Sequence, residues 1–144
     1  MPIKRILVPT DFSASSEYAC QYALTFAHEA RAEVYLLHAI YNPLRLPGYD
    51  FGGVIETLVK QAQDDLQKQV EQIREKQVIV HPMVLVGVEY EEIVKFAQEH
   101  QIDLIIMGTH GRTGLAHAFL GSVAERVIRI ASCPVLIVRM PAHK

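Results

Sequence analysis

The chain has 144 residues, half of them hydrophobic by composition, and its 14 basic and 16 acidic side chains give a formal net charge of −2. This length suits one domain of roughly 100–200 residues built around one core, and we expect residues 1–144 to form a single domain. No lysine or arginine tract is longer than a pair, which argues against the basic surface that binds nucleic acid.

Short runs rich in β-branched residues alternate along the chain with longer segments of helical periodicity. This alternation is typical of βαβ units around a parallel sheet. The predicted strands are Ile3–Val8, Glu33–Ile40, Val78–Val86, Ile102–Met107 and Pro134–Val138. The predicted helices are Ser13–Ala30 with Ser13 as N-cap, a stripe from Ile55 to Ile73, Glu89–Gln101, and about Gly121–Ala131.

A glycine-rich segment follows the predicted fourth strand. The 13 residues from Gly108 to Leu120 exceed the ~2–6 that usually connect a strand to a helix. In open parallel sheets, ligands bind beyond the carboxyl ends of the strands, where the chain order reverses. Length and position together indicate a binding loop.

The residue types of this segment suit an anion. Gly108 and Gly111 allow a positive φ and let backbone N–H groups approach a ligand. Gly121 and Ser122 open a helix whose first N–H groups favour negative charge, and Arg112 adds a cation. We interpret the segment as a phosphate-binding loop; the alternative is a set of turn glycines before a helix cap.

The spacing Gly108-x2-Gly111-x9-Gly121-Ser122 resembles the motif G-x2-G-x9-G-[S/T] of the ATP-binding branch of the universal stress protein family. The similarity extends along the chain, through Ile6 to Ser13, Leu36 to Ala39, Ile105 to Gly111 and Pro134 to Val138. The predicted fold is therefore a three-layer, Rossmann-like α/β fold. Its open parallel five-stranded sheet is predicted to have strand order 3-2-1-4-5.

The resemblance implies a site for ATP or ADP, with Mg²⁺ bound through the phosphates. Adenine and ribose would lie near the ends of the first two strands, and the phosphates near the glycine-rich segment and the following helix. The residues expected to bind the nucleotide are Pro9, Thr10, Asp11, Ala39, Met107, Gly108, Thr109, His110, Gly111, Arg112, Thr113, Gly114, Gly121, Ser122, Val123 and Ala124.

Three side chains near this site have alternative interpretations. Asp11 can accept a hydrogen bond from an adenine amine or a ribose hydroxyl, or contact a metal ion through water. The alternative is an Asx-turn or cap residue before the first helix. His110 has no orienting carboxylate nearby in the sequence, so we assign it no catalytic role. His38 is interpreted as a strand histidine with a local hydrogen-bond partner. No zinc-ligand spacing occurs, and we expect no metal held by side chains.

Two further segments bear on assembly and access. Tyr41–Val54, rich in proline, glycine and aromatic residues, is either a lid over the nucleotide or an ordinary surface loop. The apolar strand Val135–Val138 should lie at a sheet edge, where a second copy can pair. The resemblance implies a homodimer formed there; the alternative is an edge covered by the tail Met140–Lys144.

We expect a cytoplasmic, ATP-binding regulatory or stress-response module whose protein partner is unknown. Cys20 and Cys133 show no CxxC pairing, which suits a reducing compartment, and no apolar run approaches the ~20 residues of a membrane span. The alternative is a slow ATP hydrolase or another adenine-nucleotide enzyme. Neither a HxGH pair nor a Walker lysine is present, so no residue is predicted to be catalytic.

Overall fold

A computed structural model describes residues 2–42, 53–73, 77–109 and 120–141. The elements in chain order are β1 (Arg5–Pro9), α1 (Ala14–Ala30), β2 (Glu33–Tyr41), α2 (Val54–Gln72), β3 (Val80–Gly87), α3 (Glu89–Glu99), β4 (Leu104–Gly108), α4 (Ser122–Ile130) and β5 (Val135–Val138). All neighbouring strands are parallel, and their order is β3-β2-β1-β4-β5. The predicted fold class and strand order are confirmed.

Alternating strand residues bury two separate clusters, one on each face of the sheet. Ile6 and Ile106 pack with residues of α1 and α2, including Leu66. Leu7 and Ile105 pack on the opposite face, together with residues of α3 and α4. Each fully buried aliphatic side chain contributes about 1.5–3 kcal/mol. The fold therefore has three layers, with helices covering both faces of the sheet.

Some element boundaries differ from those predicted from hydrophobic pattern. The third helix ends at Glu99, because Gln101 adopts a left-handed φ of 53° that cannot continue a helix. The fourth strand begins at Leu104, since the backbone N–H of Ile102 donates to Ala97 O at 2.9 Å and closes the turn. Ile102 is buried, so its side chain belongs to the core although its backbone is outside the strand.

At the carboxyl edge of the sheet, β2 and β3 extend beyond the end of β1, and we call the region beside this step the cleft. Chain order reverses between β1 and β4, which is where open α/β sheets bind ligands. Pro9, the last residue of β1, pairs with Leu37, whereas β2 continues to Tyr41, which pairs with Gly87 of β3. The longer strands β2 and β3 therefore form a wall beside the end of β1.

Both cysteines are free thiols. Burial raises the pKa of Cys20 to about 11, so this thiol stays protonated at neutral pH. Within the described ranges, no helix has the length and apolar character needed to cross a membrane.

Replacing Asp103 by alanine should lower the free energy of unfolding by about 1–3 kcal/mol, because two backbone donors at the start of β1 lose their acceptor. Asp103 Oδ2 accepts from the N–H groups of Lys4 at 2.9 Å and Arg5 at 3.0 Å. Urea denaturation measures the change. Asp64→Ala, at an exposed helical position, is the control and should stay within about 0.5 kcal/mol of wild type. Equal stability of the two variants would show that the hydrogen bonds from Lys4 and Arg5 to Asp103 do not stabilise the start of β1.

Candidate functional site

The turn after β1 is anchored to β2 at the floor of the cleft. Thr10 N–H donates to Leu37 O at 2.8 Å, and Thr10 O lies 2.8 Å from His38 Nδ1. Because a carbonyl oxygen only accepts, Nδ1 is the donor. The prediction that His38 has a local partner is confirmed.

Phe12 gives this turn its shape. Its φ of 66° is left-handed, a conformation that costs a non-glycine residue of the order of 1–3 kcal/mol unless its surroundings hold it there. Here its N–H donates to Thr10 Oγ1 at 3.1 Å, and its ring packs on His38 with centroids 4.7 Å apart. The backbone therefore doubles back directly before α1.

Asp11 closes an Asx turn within this loop. Its Oδ1 accepts from the N–H of Ser13 at 3.0 Å and from Ser16 Oγ at 3.1 Å. Ser13 caps α1 as predicted, since its side chain accepts from the N–H of Ser16. The turn-forming role of Asp11 is thus confirmed. A carboxylate has about four acceptor positions, so this role is compatible with ligand binding.

Gly108 ends β4 directly against the start of α1. A Cβ on Gly108 would overlap Ser15 Oγ and lie 2.8 Å from the Ser15 carbonyl oxygen. The expectation that this glycine supplies a positive φ is wrong: among the described glycines, only Gly53 and Gly87 have one. Close packing of a strand end and a helix end explains the missing side chain.

The two described ends of the glycine-rich segment, Thr109 and Gly121, are joined by a hydrogen bond. Gly121 N–H donates to Thr109 O at 2.6 Å, which places the N-terminus of α4 beside the end of β4. Gly121 is the N-cap of α4, with no side-chain capping bond, and the first helical residue, Ser122, is exposed. The predicted residues His110, Gly111, Arg112, Thr113 and Gly114 lie outside the described residues, as do 43–52 of the candidate lid.

The remaining residues predicted to bind the nucleotide lie at the ends of β1 and β4, in β2 and in the first turn of α4. Pro9 ends β1 and pairs with Leu37, and Ala39 lies two residues further along β2. The Ala39 side chain is on the opposite face of the sheet from His38, because side chains alternate along a strand. Met107 is buried in β4, next to Gly108. In α4, Val123 is half-buried and Ala124 only 4% exposed. The sheet thus brings the described members of the predicted set to one edge.

Glu89 was not predicted from the sequence as a site residue. It is the first residue of α3, directly after the wall formed by β2 and β3, and is half-buried. Burial raises the pKa of Glu89, the charge of Asp11 raises it further, and His38 lowers it. The sequence did contain a signal for Glu89, because it follows a predicted strand and ligands bind beyond the carboxyl ends of strands in open parallel sheets.

The comparisons with known proteins agree with this geometry. A model of the universal stress protein family matches residues 2–139. The chain belongs to the universal stress protein family. Its relatives include the universal stress protein MJ0531 of Methanocaldococcus jannaschii, 43% identical over 96% of this chain and 83% of the relative.

Solved structures of other universal stress proteins share the fold. Protein MJ0577 of Methanocaldococcus jannaschii superposes with a TM-score of 0.77 and 34% identity, over 99% of this chain and 100% of that one. A universal stress protein in complex with cAMP has a TM-score of 0.65 and 25% identity, over 96% and 98% of the two chains. The protein from Archaeoglobus fulgidus in complex with dAMP has a TM-score of 0.61 and 26% identity, over 95% and 98%.

Substituting Gly108 by alanine should lower the free energy of unfolding by about 1–3 kcal/mol, because the added methyl group displaces the start of α1. Removing the Ser15 side chain as well, in Gly108→Ala/Ser15→Gly, relieves the overlap with Oγ but leaves the contact with the Ser15 backbone. The double variant should be more stable than the sum of the two single effects predicts, because the overlap with Oγ is gone, but less stable than wild type, because the backbone contact remains. Thermal unfolding of the two single variants and the double variant measures this coupling. Additive effects would contradict the packing explanation.

Proposed function

We propose that this universal stress protein binds ATP or ADP across the carboxyl edge of its sheet and serves as a cytoplasmic, nucleotide-dependent regulatory module. The observation that carries the proposal is the bond between Gly121 N–H and Thr109 O. It holds the N-terminus of α4 beside the end of β4, at the point where strand order reverses. Regulation would follow from a protein partner that distinguishes the nucleotide-bound form.

The phosphates would lie at the N-terminus of α4. The first N–H groups of a helix lack intrahelical acceptors, and the helix dipole favours negative charge there. The two helices that begin at this cleft differ in this respect. Ser13 caps α1 with its side chain, whereas Gly121 offers α4 no side chain. Ser122, Val123 and Ala124 would donate through their N–H groups, with Gly108 to Gly114 completing the loop.

The nucleoside would lie beside the turn after β1, in contact with Pro9, Thr10 and Ala39. Asp11 would contribute its carboxylate, since carboxylate oxygens accept hydrogen bonds from donor groups such as an adenine amine or a ribose hydroxyl. Glu89 carries a second carboxyl group close enough for its pKa to respond to the charge of Asp11. Acidic groups at the nucleoside end and helix N–H groups at the phosphate end would orient the nucleotide.

Mg²⁺ would enter with the phosphates rather than bind a cage of side chains. In the described part of the chain, no three His, Cys, Asp or Glu residues are grouped so as to hold a metal ion. Mg²⁺ keeps several waters and commonly binds through substrate phosphates. The acidic residues would then contact the ion through water.

Relatives support the choice of an adenine nucleotide. The universal stress protein structures with cAMP and with dAMP contain ligands that share an adenine base and a phosphate. Their identities of 25% and 26% extend over nearly the whole of this chain. Both ligands fit the division into a nucleoside end and a phosphate end.

Calorimetry with purified protein should detect binding of ATP in the presence of Mg²⁺, and Ser122→Ala should weaken it by about three- to tenfold, through loss of a hydroxyl donor to phosphate. Ser132→Ala is the matched control, since Ser132 is also exposed but follows the C-terminal end of α4. Its affinity should equal that of wild type.

No heat and no thermal shift at millimolar ATP would overturn the proposed function. Equal weakening by the two serine substitutions would place the phosphates elsewhere. Following ADP release in the same samples tests the alternative of slow hydrolysis.

We also propose that β5 joins two copies into a homodimer. Among the described strands, β5 pairs with β4 alone and forms an edge of the sheet. Its residues Val135, Leu136 and Ile137 are half-buried and apolar. An apolar edge strand is a template for pairing with another chain, and a twofold axis would make the contact self-complementary.

Ile137→Lys should convert a dimer into a monomer, because a charged edge residue opposes strand pairing. Ile79→Lys is the control: Ile79 is 58% exposed and directly precedes β3 at the other edge of the sheet. Light scattering coupled to size-exclusion chromatography gives the mass. A monomeric wild type, or a folded Ile137→Lys variant that remains dimeric, would refute this interface.

A further inference from the structure

A chain of hydroxyl groups at the start of α1 converges on Asp11. Ser16 Oγ is at its centre, 3.0 Å from Thr10 Oγ1, 3.2 Å from Ser13 Oγ and 3.1 Å from Asp11 Oδ1. It also lies 3.0 Å from the Ser13 carbonyl oxygen. Because a serine hydroxyl has one proton and two acceptor positions, these four contacts cannot all be donated by Ser16.

The direction of each hydrogen bond follows from its partners. The Ser13 carbonyl oxygen already accepts from the N–H of Glu17 at 3.0 Å. The carboxylate is the stronger acceptor because its hydrogen bonds are charge-assisted, so Ser16 donates to Asp11. Thr10 and Ser13 then donate to Ser16, and all three hydroxyl protons are directed along one path that ends at Asp11 Oδ1.

Burial makes this arrangement rigid. Thr10 and Ser16 are each only 5% exposed, so water cannot readily replace a lost partner. In such surroundings a satisfied polar network strengthens its members, and an unsatisfied group is costly. Two bonds to one oxygen, from the N–H of Ser13 and the hydroxyl of Ser16, fix the plane of the Asp11 carboxylate.

We propose that Ser16 is a positioning residue that holds the Asp11 carboxylate in the orientation that selects a 6-amino purine over a 6-oxo purine. The inference rests on the proposed function, since it concerns the nucleoside end of the same site. A fixed carboxylate accepts a hydrogen bond from an amino group, but faces a carbonyl oxygen with no proton between them. Without the Ser16 hydroxyl, Asp11 Oδ1 keeps the bond from the Ser13 N–H but loses its second restraint, so the carboxylate can rotate and discriminates less.

The test compares the affinities of ATP and inosine triphosphate, which carries an oxygen in place of the 6-amino group. Wild type should bind ATP more tightly, and Ser16→Ala should reduce the ratio of the two dissociation constants by about three- to tenfold. Ser13→Ala is the matched control in the same turn. It removes the helix cap and lowers Tm by about 2–8 °C, but keeps the Ser13 N–H and the Ser16 hydroxyl, so its ratio should match wild type.

Ser16→Cys, whose S–H is a weaker donor of similar size, should give an intermediate ratio and replaces the alanine variant if that does not fold. Wild-type binding of ATP with an unchanged ratio in folded Ser16 variants would overturn this inference and leave the proposed function standing. Equal loss of discrimination in Ser13→Ala would assign the effect to general loosening of the turn and would also overturn it. Failure of wild type to bind either nucleotide would remove both proposals.

Discussion

The N-terminus of α1 lies so close to the end of β4 that residue 108 has no room for a side chain. A Cβ there would overlap Ser15 Oγ, and this close approach joins the two halves of the sheet where strand order reverses. The turn from Thr10 to Ser13 is consequently held against β2 on one side and near β4 on the other. The described residues of the turn after β1 and of the start of α4, which are proposed to bind the nucleotide, lie beside this junction.

The two sides of this junction differ in charge: one carries carboxyl groups and the other carries the N-terminus of a helix. At one end, Asp11 and Glu89 carry carboxyl groups near the proposed nucleoside position, and burial together with the charge of Asp11 raises the pKa of Glu89. At the other end, the uncapped start of α4 provides backbone N–H groups for phosphate. In the neighbouring helix α1, the Ser13 side chain already accepts a hydrogen bond from a first-turn N–H group. The proposed adenine nucleotide would place its base and ribose at the first end and its phosphates at the second.

Alternating strand and helix periodicities predicted the α/β fold class, because they are properties of contiguous sequence. The strand order came from the resemblance to the universal stress protein family, and the site residues remain a prediction. Features that depend on contacts between residues far apart in the sequence could not be predicted from it. Ile102 looks like strand sequence, but its backbone N–H bonds to Ala97 and closes a turn. The positive φ expected of Gly108 is absent, and its close contact with Ser15 could not be foreseen because Ser15 is distant in the sequence. Glu89 resembles any charged residue in the first turn of a helix, and Ser16 any polar helix residue, until the tertiary structure places both near Asp11.

The most direct test of the account is to map the backbone amides that respond to the nucleotide. In ¹⁵N-labelled protein titrated with ATP and Mg²⁺, the largest NMR shift changes should fall on three stretches separated in sequence, 10–13, 108–114 and 122–124. Little change is expected at the opposite edge of the sheet, around Arg31 and Glu33. Saturable changes confined to that opposite edge, with 10–13, 108–114 and 122–124 unaffected, would contradict a nucleotide site at the junction of β1, β4 and α4.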